Sequence, residues 1–396
     1  MRLNNIYLSY IARFLCNLMF FGAVTIPYFI DWLRVDYTKI AILQTWCSIL
    51  IVLLEVPTGM IADKYGRKIS LALGCVVCAA AMLIYGITQT YWHLFIAEFA
   101  FAVGFTLMSG ADKALLYDSL VEQRKEKGAS HYLSRLEAAG TLGIVIGMPL
   151  GSLFVGSGII GYPSSLPATF LITVPVLIVA GIVYLMMQEP RRKKMTGNFL
   201  KEGIKGMMHL KRHPALRAFT LNTVLISAAT FFIYWLYQPL SQQAGISVSY
   251  LGFVSAGFNI LAMVLLLNVK KLEKAFGVAD VLFYSAVIPG LMFVALAFFR
   301  NAVFVVIGIS VIAALRAIRR PMLEDFTNRH IESKNRATVL SGISLLGQLV
   351  IAILYPIIGA LADISLAHAL VFLGAFTLIF AWTTRIESRH LNYDRS

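Results

Sequence analysis

The sequence predicts an all-α integral membrane protein with twelve transmembrane helices in two six-helix halves. Hydrophobic residues make up 59% of the chain and charged residues only 14%, whereas a soluble chain carries about 25% charged residues. The apolar residues also fall in long continuous runs. A helical bilayer crossing needs roughly 20 mostly apolar residues, and barrel strands would instead alternate in segments of about 10 residues. The runs therefore predict helices.

Twelve apolar stretches are long enough to be spans. They cover residues 7–32, 39–61, 69–89, 92–117, 133–157, 166–187, 216–240, 248–270, 280–299, 301–320, 337–360 and 366–386. The first stretch is too long for a signal peptide and lacks a small-residue cleavage site. We therefore predict an N-terminal half (1–190), a basic cytoplasmic linker (191–215) and a C-terminal half (216–396). The linker is either a plain solvated segment or an amphipathic helix on the anionic inner leaflet.

The positive charge of the chain lies mainly in the loops that follow even-numbered spans. Examples are Arg67-Lys68, Arg124-Lys125, Lys270-Lys271 and Arg319-Arg320. The net charge of +14 is therefore read as membrane topology rather than as nucleic-acid binding, and the expected partner is the lipid bilayer. By the positive-inside rule, both termini and the even loops are cytoplasmic in a multi-pass protein of the inner or plasma membrane.

The loop between the second and third spans carries a motif. It reads Gly59-Met-Ile-Ala-Asp63-Lys64-Tyr-Gly66-Arg67-Lys68. Gly59 lets a neighbouring helix approach closely, and Gly66 permits the positive φ of a tight turn. Asp63, at the end of a helix, can accept hydrogen bonds from the N-terminus of a facing helix.

This loop resembles the signature G-x-x-x-D-[RK]-x-G-[RK]-[RK] of the major facilitator superfamily at every defined position. The resemblance implies a transporter that works by alternating access. It also implies a gating latch in which Asp63 meets the eleventh span, near Ala337. In the equivalent loop of the second half, Gly277 is kept but Lys274 replaces the acid, so that latch is degenerate.

Two other motifs of the family are altered in this chain. In the fourth span, Glu98 stands in the frame where the family often has an arginine, so the proton-relay role of that arginine is not carried over. In the fifth span, Gly143 to Ser152 resembles the antiporter motif, with Pro149 displaced by one position. These features favour drug/proton antiporter-like members only weakly.

Ionisable residues inside spans are costly, so they are candidates for function. The proton-coupling candidates are Glu98, Glu55, Glu137 and Asp112. Burial disfavours the charged form of Glu98, which suits a proton carrier. Asp112, Glu137 and Arg316 are alternatively expected to form interhelical salt bridges that stabilise the fold.

A second set of polar and aromatic residues predicts a substrate cavity. The cavity candidates are Arg13, Asn17, Phe231, Tyr234, Gln238, Asn259, Gln348 and Tyr355. Arg13 either binds an anionic substrate group or pairs with an acid such as Glu137. Aromatic rings with a few amides suit a small amphipathic organic molecule, and favour a cation if an acid lies across the cavity.

The preferred functional hypothesis is proton-coupled export of small amphipathic organic compounds by a monomer. An importer of a nutrient or metabolite, anionic solutes included, is the alternative within transport, and a membrane enzyme or receptor is a remote one. The chain has no H-E-x-x-H, G-x-S-x-G or P-loop motif, which argues against an enzyme. The four cysteines lie within spans and read as small apolar filler rather than as a metal or redox site. No cofactor is expected, and a proton gradient is the expected energy source.

Overall fold

A computed structural model describes residues 4–190, 214–329 and 336–386. These residues form helices joined by short turns, with no strand among them. Eleven of the described helical segments are long and apolar enough to cross a membrane. The all-α membrane fold class is therefore confirmed. The predicted linker lies almost entirely in 191–213, outside the described residues.

The helices are numbered in chain order. Those of the first half are α1 (Asn5–Cys16), α2 (Thr25–Pro27, continued by a π-helical turn, Tyr28–Trp32), α3 (Tyr37–Tyr65), α4 (Arg67–Ile87), α5 (Tyr91–Met108), α6 (Ala111–Glu122), α7 (Ala129–Gly156) and α8 (Ser165–Met186). Those of the second half are α9 (Pro214–Phe231), α10 (Ile233–Gln243), α11 (Leu251–Leu267), α12 (Val269–Phe276), α13 (Val278–Phe298), α14 (Ala302–Arg329), α15 (Arg336–Ile364) and α16 (Leu366–Thr383).

Three predicted spans are interrupted, which the sequence pattern did not reveal. The stretch 7–32 breaks between α1 and α2, and it is the one predicted span absent from the eleven. The stretch 92–117 breaks before α6, where Gly110 has a φ of 69°. The stretch 216–240 is interrupted at Phe232. Hydropathy averaged over a span cannot detect a break of a few residues, because the flanking residues stay apolar.

The described helices fall into two compact units. The N-terminal unit comprises Met1–Val35, Trp46–Gly197 and Val248–Ala256. The C-terminal unit comprises Asp36–Thr45, Asn198–Ser247 and Gly257–Ser396. The first turns of α3 thus belong to the C-terminal unit, and the first residues of α11 to the N-terminal unit.

In the N-terminal unit, α4 packs against α5 and α8, and α1 packs against α7 and α8. The core of this unit includes Leu8, Ala12, Leu71, Leu115 and Tyr184. All four cysteines are free. Cys75 and Cys78 are buried, which agrees with their reading as apolar filler.

In the C-terminal unit, α13 packs against α14 and α16, and α9 packs against α14, α15 and α16. Phe219, Leu282, Ile318 and Met322 form part of its core. Gly277 has a φ of 81° and precedes α13, just as Gly66, with a φ of 104°, precedes α4. The two loops therefore share a turn geometry.

Candidate functional site

The signature loop is built around the turn at Gly66. A Cβ at this position would lie 3.0 Å from the carboxylate of Glu189, so glycine satisfies both the positive φ and the approach of that side chain. The Glu189 oxygens accept the backbone N–H groups of Arg67 (2.8 Å) and Lys68 (2.9 Å). Glu189 therefore supplies the cap that Gly66 cannot, and its charge lies at the positive end of the α4 dipole.

Two further contacts tie the loop to its own unit. The Arg67 guanidinium donates to the Asp118 carboxylate of α6, and the Lys68 ammonium donates to the Met187 carbonyl at 3.3 Å. Glu189 and Asp118 lie outside the signature motif, although both are acids close to the ends of spans. The contact predicted between Asp63 and the eleventh span stays a prediction.

Arg13 is the centre of a charge cluster in the N-terminal unit. Its Nη1 donates to Asp112 at 2.9 Å and its Nη2 to Glu137 at 3.2 Å. The Lys113 ammonium lies 2.6 Å from the other oxygen of Glu137. Two cations thus face two carboxylates, and the charges of these side chains cancel. Of the two roles left open for Arg13, the geometry supports pairing with acids, and it gives Asp112 and Glu137 the same role.

Glu98 is buried in α5, with 3% of its surface exposed. The Tyr85 hydroxyl of α4 donates to its carboxylate. The Tyr85 ring stacks on Phe170, with centroids 5.0 Å apart, and the Tyr28 hydroxyl donates to the Tyr85 carbonyl at 2.6 Å. The carboxyl group of Glu98 is therefore buried beside a cluster of aromatic side chains.

The remaining acid candidate, Glu55, lies in α3. The Ser109 hydroxyl, at the break between α5 and α6, donates to it at 3.4 Å. This hydrogen bond is at the long limit, and the side chain is half-buried. Glu55 is therefore less enclosed than Glu98.

The C-terminal unit contains a cavity of about 690 Å³. Helices α9, α10, α14 and α15 supply its walls. The polar, charged and aromatic side chains that line it include Thr223, Ser227, Phe231, Tyr234, Arg316 and Ser344. This volume lies in the range of pockets that hold small organic molecules.

Of the predicted cavity residues in the second half, Phe231 and Tyr234 line this cavity. Tyr355 packs behind it, with its ring 6.2 Å from that of Phe231, and Gln238 is buried. Asn259 and Gln348 are half-buried and do not line this cavity. In the first half, Asn17 donates its amide to the Arg13 carbonyl at 2.8 Å.

Arg316 lines the cavity, a position that the sequence did not assign to it. It was expected to form a salt bridge, yet the acceptors that its Nη1 contacts are neutral: the Ser227 carbonyl and the Thr230 hydroxyl. Its guanidinium lies 5.6 Å from the centroid of the Phe231 ring. One signal could have revealed this position: the spans of the second half contain several arginines, Arg316 among them, but almost no acid.

The model of the Major Facilitator Superfamily matches residues 6–354 of the chain. The chain belongs to the major facilitator superfamily. The uncharacterized MFS-type transporter YxaM of Bacillus subtilis (strain 168) is 23% identical, over 87% of this chain and 86% of that protein. The resemblance of the signature loop is thereby confirmed, and membership of this superfamily makes the chain a membrane transporter of small molecules rather than an enzyme.

Solved structures of the same fold cover nearly the whole chain. The nucleoside transporter NupG has a TM-score of 0.80 at 15% identity, covering 99% of both chains. A bacterial homologue of the human lysosomal transporter Spinster has a TM-score of 0.78 at 14% identity, covering 99% of this chain and 98% of that one. A POT family transporter in complex with 5-aminolevulinic acid has a TM-score of 0.76 at 12% identity, covering 98% and 96%. At these identities the likeness concerns the fold of this superfamily member.

Proposed function

We propose that this superfamily member is a proton-coupled secondary transporter that takes up a small polar organic metabolite. The observation that carries the proposal is the cavity of the C-terminal unit. Its lining combines the rings of Phe231 and Tyr234 with the hydroxyls of Ser227 and Ser344. Such a surface can hold a carbon skeleton and a few polar groups at once.

The charge of the lining bears on the class of solute. Two arginines and one glutamate line the cavity: Arg316, Arg320 and Glu324. The net charge is positive, so a cationic drug would meet repulsion there. The sequence had favoured an amphipathic cation only if an acid faced the rings. The cavity supports a neutral or anionic metabolite instead.

The structural neighbours point in the same direction. NupG is named for nucleosides and the POT family members for peptides, and both are small polar solutes. For the present chain, these neighbours suggest only a class of solute, that of small polar molecules. It favours the importer that the sequence left as an alternative over drug export.

The proton-coupling site in this proposal is Glu98. Its burial and its hydrogen bond from Tyr85 suit a carboxyl that alternates between protonated and charged forms during the transport cycle. Arg13 and Lys113 together neutralise Asp112 and Glu137, which makes a static structural role the better account of these residues.

The test is solute flux into proteoliposomes with an imposed pH gradient. A panel of nucleosides, dipeptides, organic acids and lipophilic cations would be assayed with the outside acidic, with the gradient collapsed by an uncoupler, and with empty vesicles. We expect accumulation of a polar metabolite only with the gradient. Movement of lipophilic cations against the proton flow, with no polar solute transported, would contradict uptake.

Proton-coupled export of amphipathic compounds is the second candidate, and one observation favours it. The glycines of the antiporter-like stretch of α7 allow close packing against the backbone that follows α1. A Cβ at Gly151 would lie 1.7 Å from the Phe20 carbonyl oxygen, and one at Gly147 would lie 2.8 Å from the Met19 nitrogen. The glycines of the stretch that resembles the antiporter motif therefore serve close backbone contact.

A further inference from the structure

The environment of Arg316 suggests which chemical group the cavity recognises. Its Nη1 is held by the Ser227 carbonyl and, at 3.3 Å, by the Thr230 hydroxyl. The rings of Phe231 and Tyr234 lie 5.6 and 5.8 Å from the guanidinium carbon. A guanidinium has five N–H donors in a rigid fork, so these contacts orient the group without saturating it.

No carboxylate of the described residues forms a salt bridge with Arg316. Glu324, the acid that lines the same cavity, pairs with Arg320 at 2.8 Å. The nearby guanidinium of Arg319 is fully buried outside the lining. It donates to Asn222, Ser285 and the Leu282 carbonyl. Arg316 is thus the described intramembrane arginine that both lines the cavity and lacks an acidic partner.

Arg13 differs from Arg316 in the charge of its partners. Arg13 contacts two carboxylates, as expected for a cation that must be neutralised inside a membrane. A cation whose partners are neutral keeps its attraction for an anion that enters the cavity, because protein walls screen charge less than bulk water does. A planar guanidinium also matches the geometry of carboxylate and phosphate groups.

We propose that this cavity binds a small organic anion whose carboxylate or phosphate group pairs with Arg316. The carbon skeleton of the anion packs against Phe231 and Tyr234, and the hydroxyls of Ser227 and Ser344 are available to its other polar groups. The inference rests on the proposed function, because it takes this cavity as the solute site, and it narrows the solute from a polar metabolite to an anionic one.

The experiment compares acids with uncharged analogues of nearly the same shape. Thermal unfolding of the purified full chain in detergent would be followed with benzoate and benzamide, nicotinate and nicotinamide, and uridine monophosphate and uridine. We expect at least one acid to raise the unfolding temperature where its neutral analogue does not. Arg316→Gln should weaken the binding of that acid by about tenfold or more, since a hydrogen-bonded charge pair is lost.

Two variants serve as controls. Arg217→Gln makes the same change at an exposed arginine of α9, and it should leave the acid preference unchanged. Arg316→Lys keeps the charge but loses the fork, so it should bind the acid more weakly than wild type while still preferring it to the amide. If Arg316→Gln does not fold, the test rests on Arg316→Lys, and acid binding as tight as in the wild type would contradict the inference.

Equal stabilisation by acid and amide, stabilisation by none of the acids, or an acid preference that survives in Arg316→Gln would each overturn the inference. The flux assay separates this failure from failure of the proposed function. Gradient-driven uptake of a neutral solute, unchanged in Arg316→Gln, would preserve the function and end the anion inference. Arg316-dependent binding of an acid without gradient-driven uptake would support the anion inference and contradict the proposed function.

Discussion

Asp363, near the C-terminal end of α15, caps the helix that begins at Tyr37. Its carboxylate accepts the backbone N–H of Tyr37 at 2.7 Å and that of Thr38 at 3.0 Å. A Cβ at Gly359 would lie 2.7 Å from the Tyr37 carbonyl oxygen, so glycine allows this approach. The spacing of Gly359 and Asp363 repeats that of Gly59 and Asp63 in the signature loop.

The cap predicts a measurable contribution to stability. Asp363→Ala removes both acceptors and should lower the free energy of unfolding by about 1 kcal/mol. Asp363→Asn keeps one acceptor oxygen and should lose less. Unfolding of the purified protein by titration with a denaturing detergent would measure both. Equal stability of the Ala variant and the wild type would show that water replaces the carboxylate at no cost.

Disruption of the charge cluster around Arg13 is expected to lower the free energy of unfolding more than loss of the Asp363 cap does. Arg13→Gln leaves Asp112, whose side chain is 8% exposed, charged and without its arginine, at a cost of roughly 3 kcal/mol. Adding Asp112→Asn should restore part of that stability, because the isolated charge is removed. Thermal unfolding of the single and double variants measures the coupling between the two sites.

Arg320→Gln is the matched control for this cycle. It breaks an exposed pair with Glu324 four residues away on the same helix, so it should cost less than about 1 kcal/mol. A double variant no more stable than Arg13→Gln alone would contradict the view that Asp112 needs its cation.

Replacement of Glu98 is expected to abolish proton coupling without abolishing solute binding. Glu98→Gln keeps an acceptor for the Tyr85 hydroxyl but cannot exchange protons. The variant should still bind and exchange solute, yet lose accumulation driven by a pH gradient. Tyr85→Phe, which removes only the hydroxyl, should retain accumulation with an altered pH dependence. Flux into proteoliposomes with and without the gradient is the measurement, and gradient-driven accumulation by Glu98→Gln would contradict the role of Glu98 and leave Glu55 as the coupling candidate.

Glu189, three residues after the end of α8, is expected to stabilise the signature loop. Glu189→Ala removes both caps from the start of α4 and should cost about 1 to 2 kcal/mol of unfolding free energy. Asp63→Asn is the informative comparison. It leaves these caps intact and should slow transport with little change in stability. If Glu189→Ala is as stable as wild type, the N-terminus of α4 is satisfied by another group.

The sequence by itself determined the class of fold and the superfamily. Run length, hydropathy and the signature loop suffice for this, because a bilayer demands long apolar helices with their hydrogen bonds satisfied internally. The glycine turns at Gly66 and Gly277 were also predictable, since a positive φ is a local property of the backbone. The breaks after Cys16 and at Phe232 were not, because hydropathy is nearly blind to a short interruption.

Only the tertiary structure decided which charges meet. Arg13 and Arg316 are both intramembrane arginines in the sequence, and nothing local separates them. The fold brings Arg13 to Asp112, 99 residues away, and to Glu137, 124 residues away, while it places Arg316 beside neutral groups at the wall of a cavity. The same is true of Glu189 at Gly66 and of Asp363 at Tyr37. The energy of a charge depends on partners within a few ångströms, and in a helical bundle those partners come from parts of the chain whose spacing in sequence carries no record of the contact.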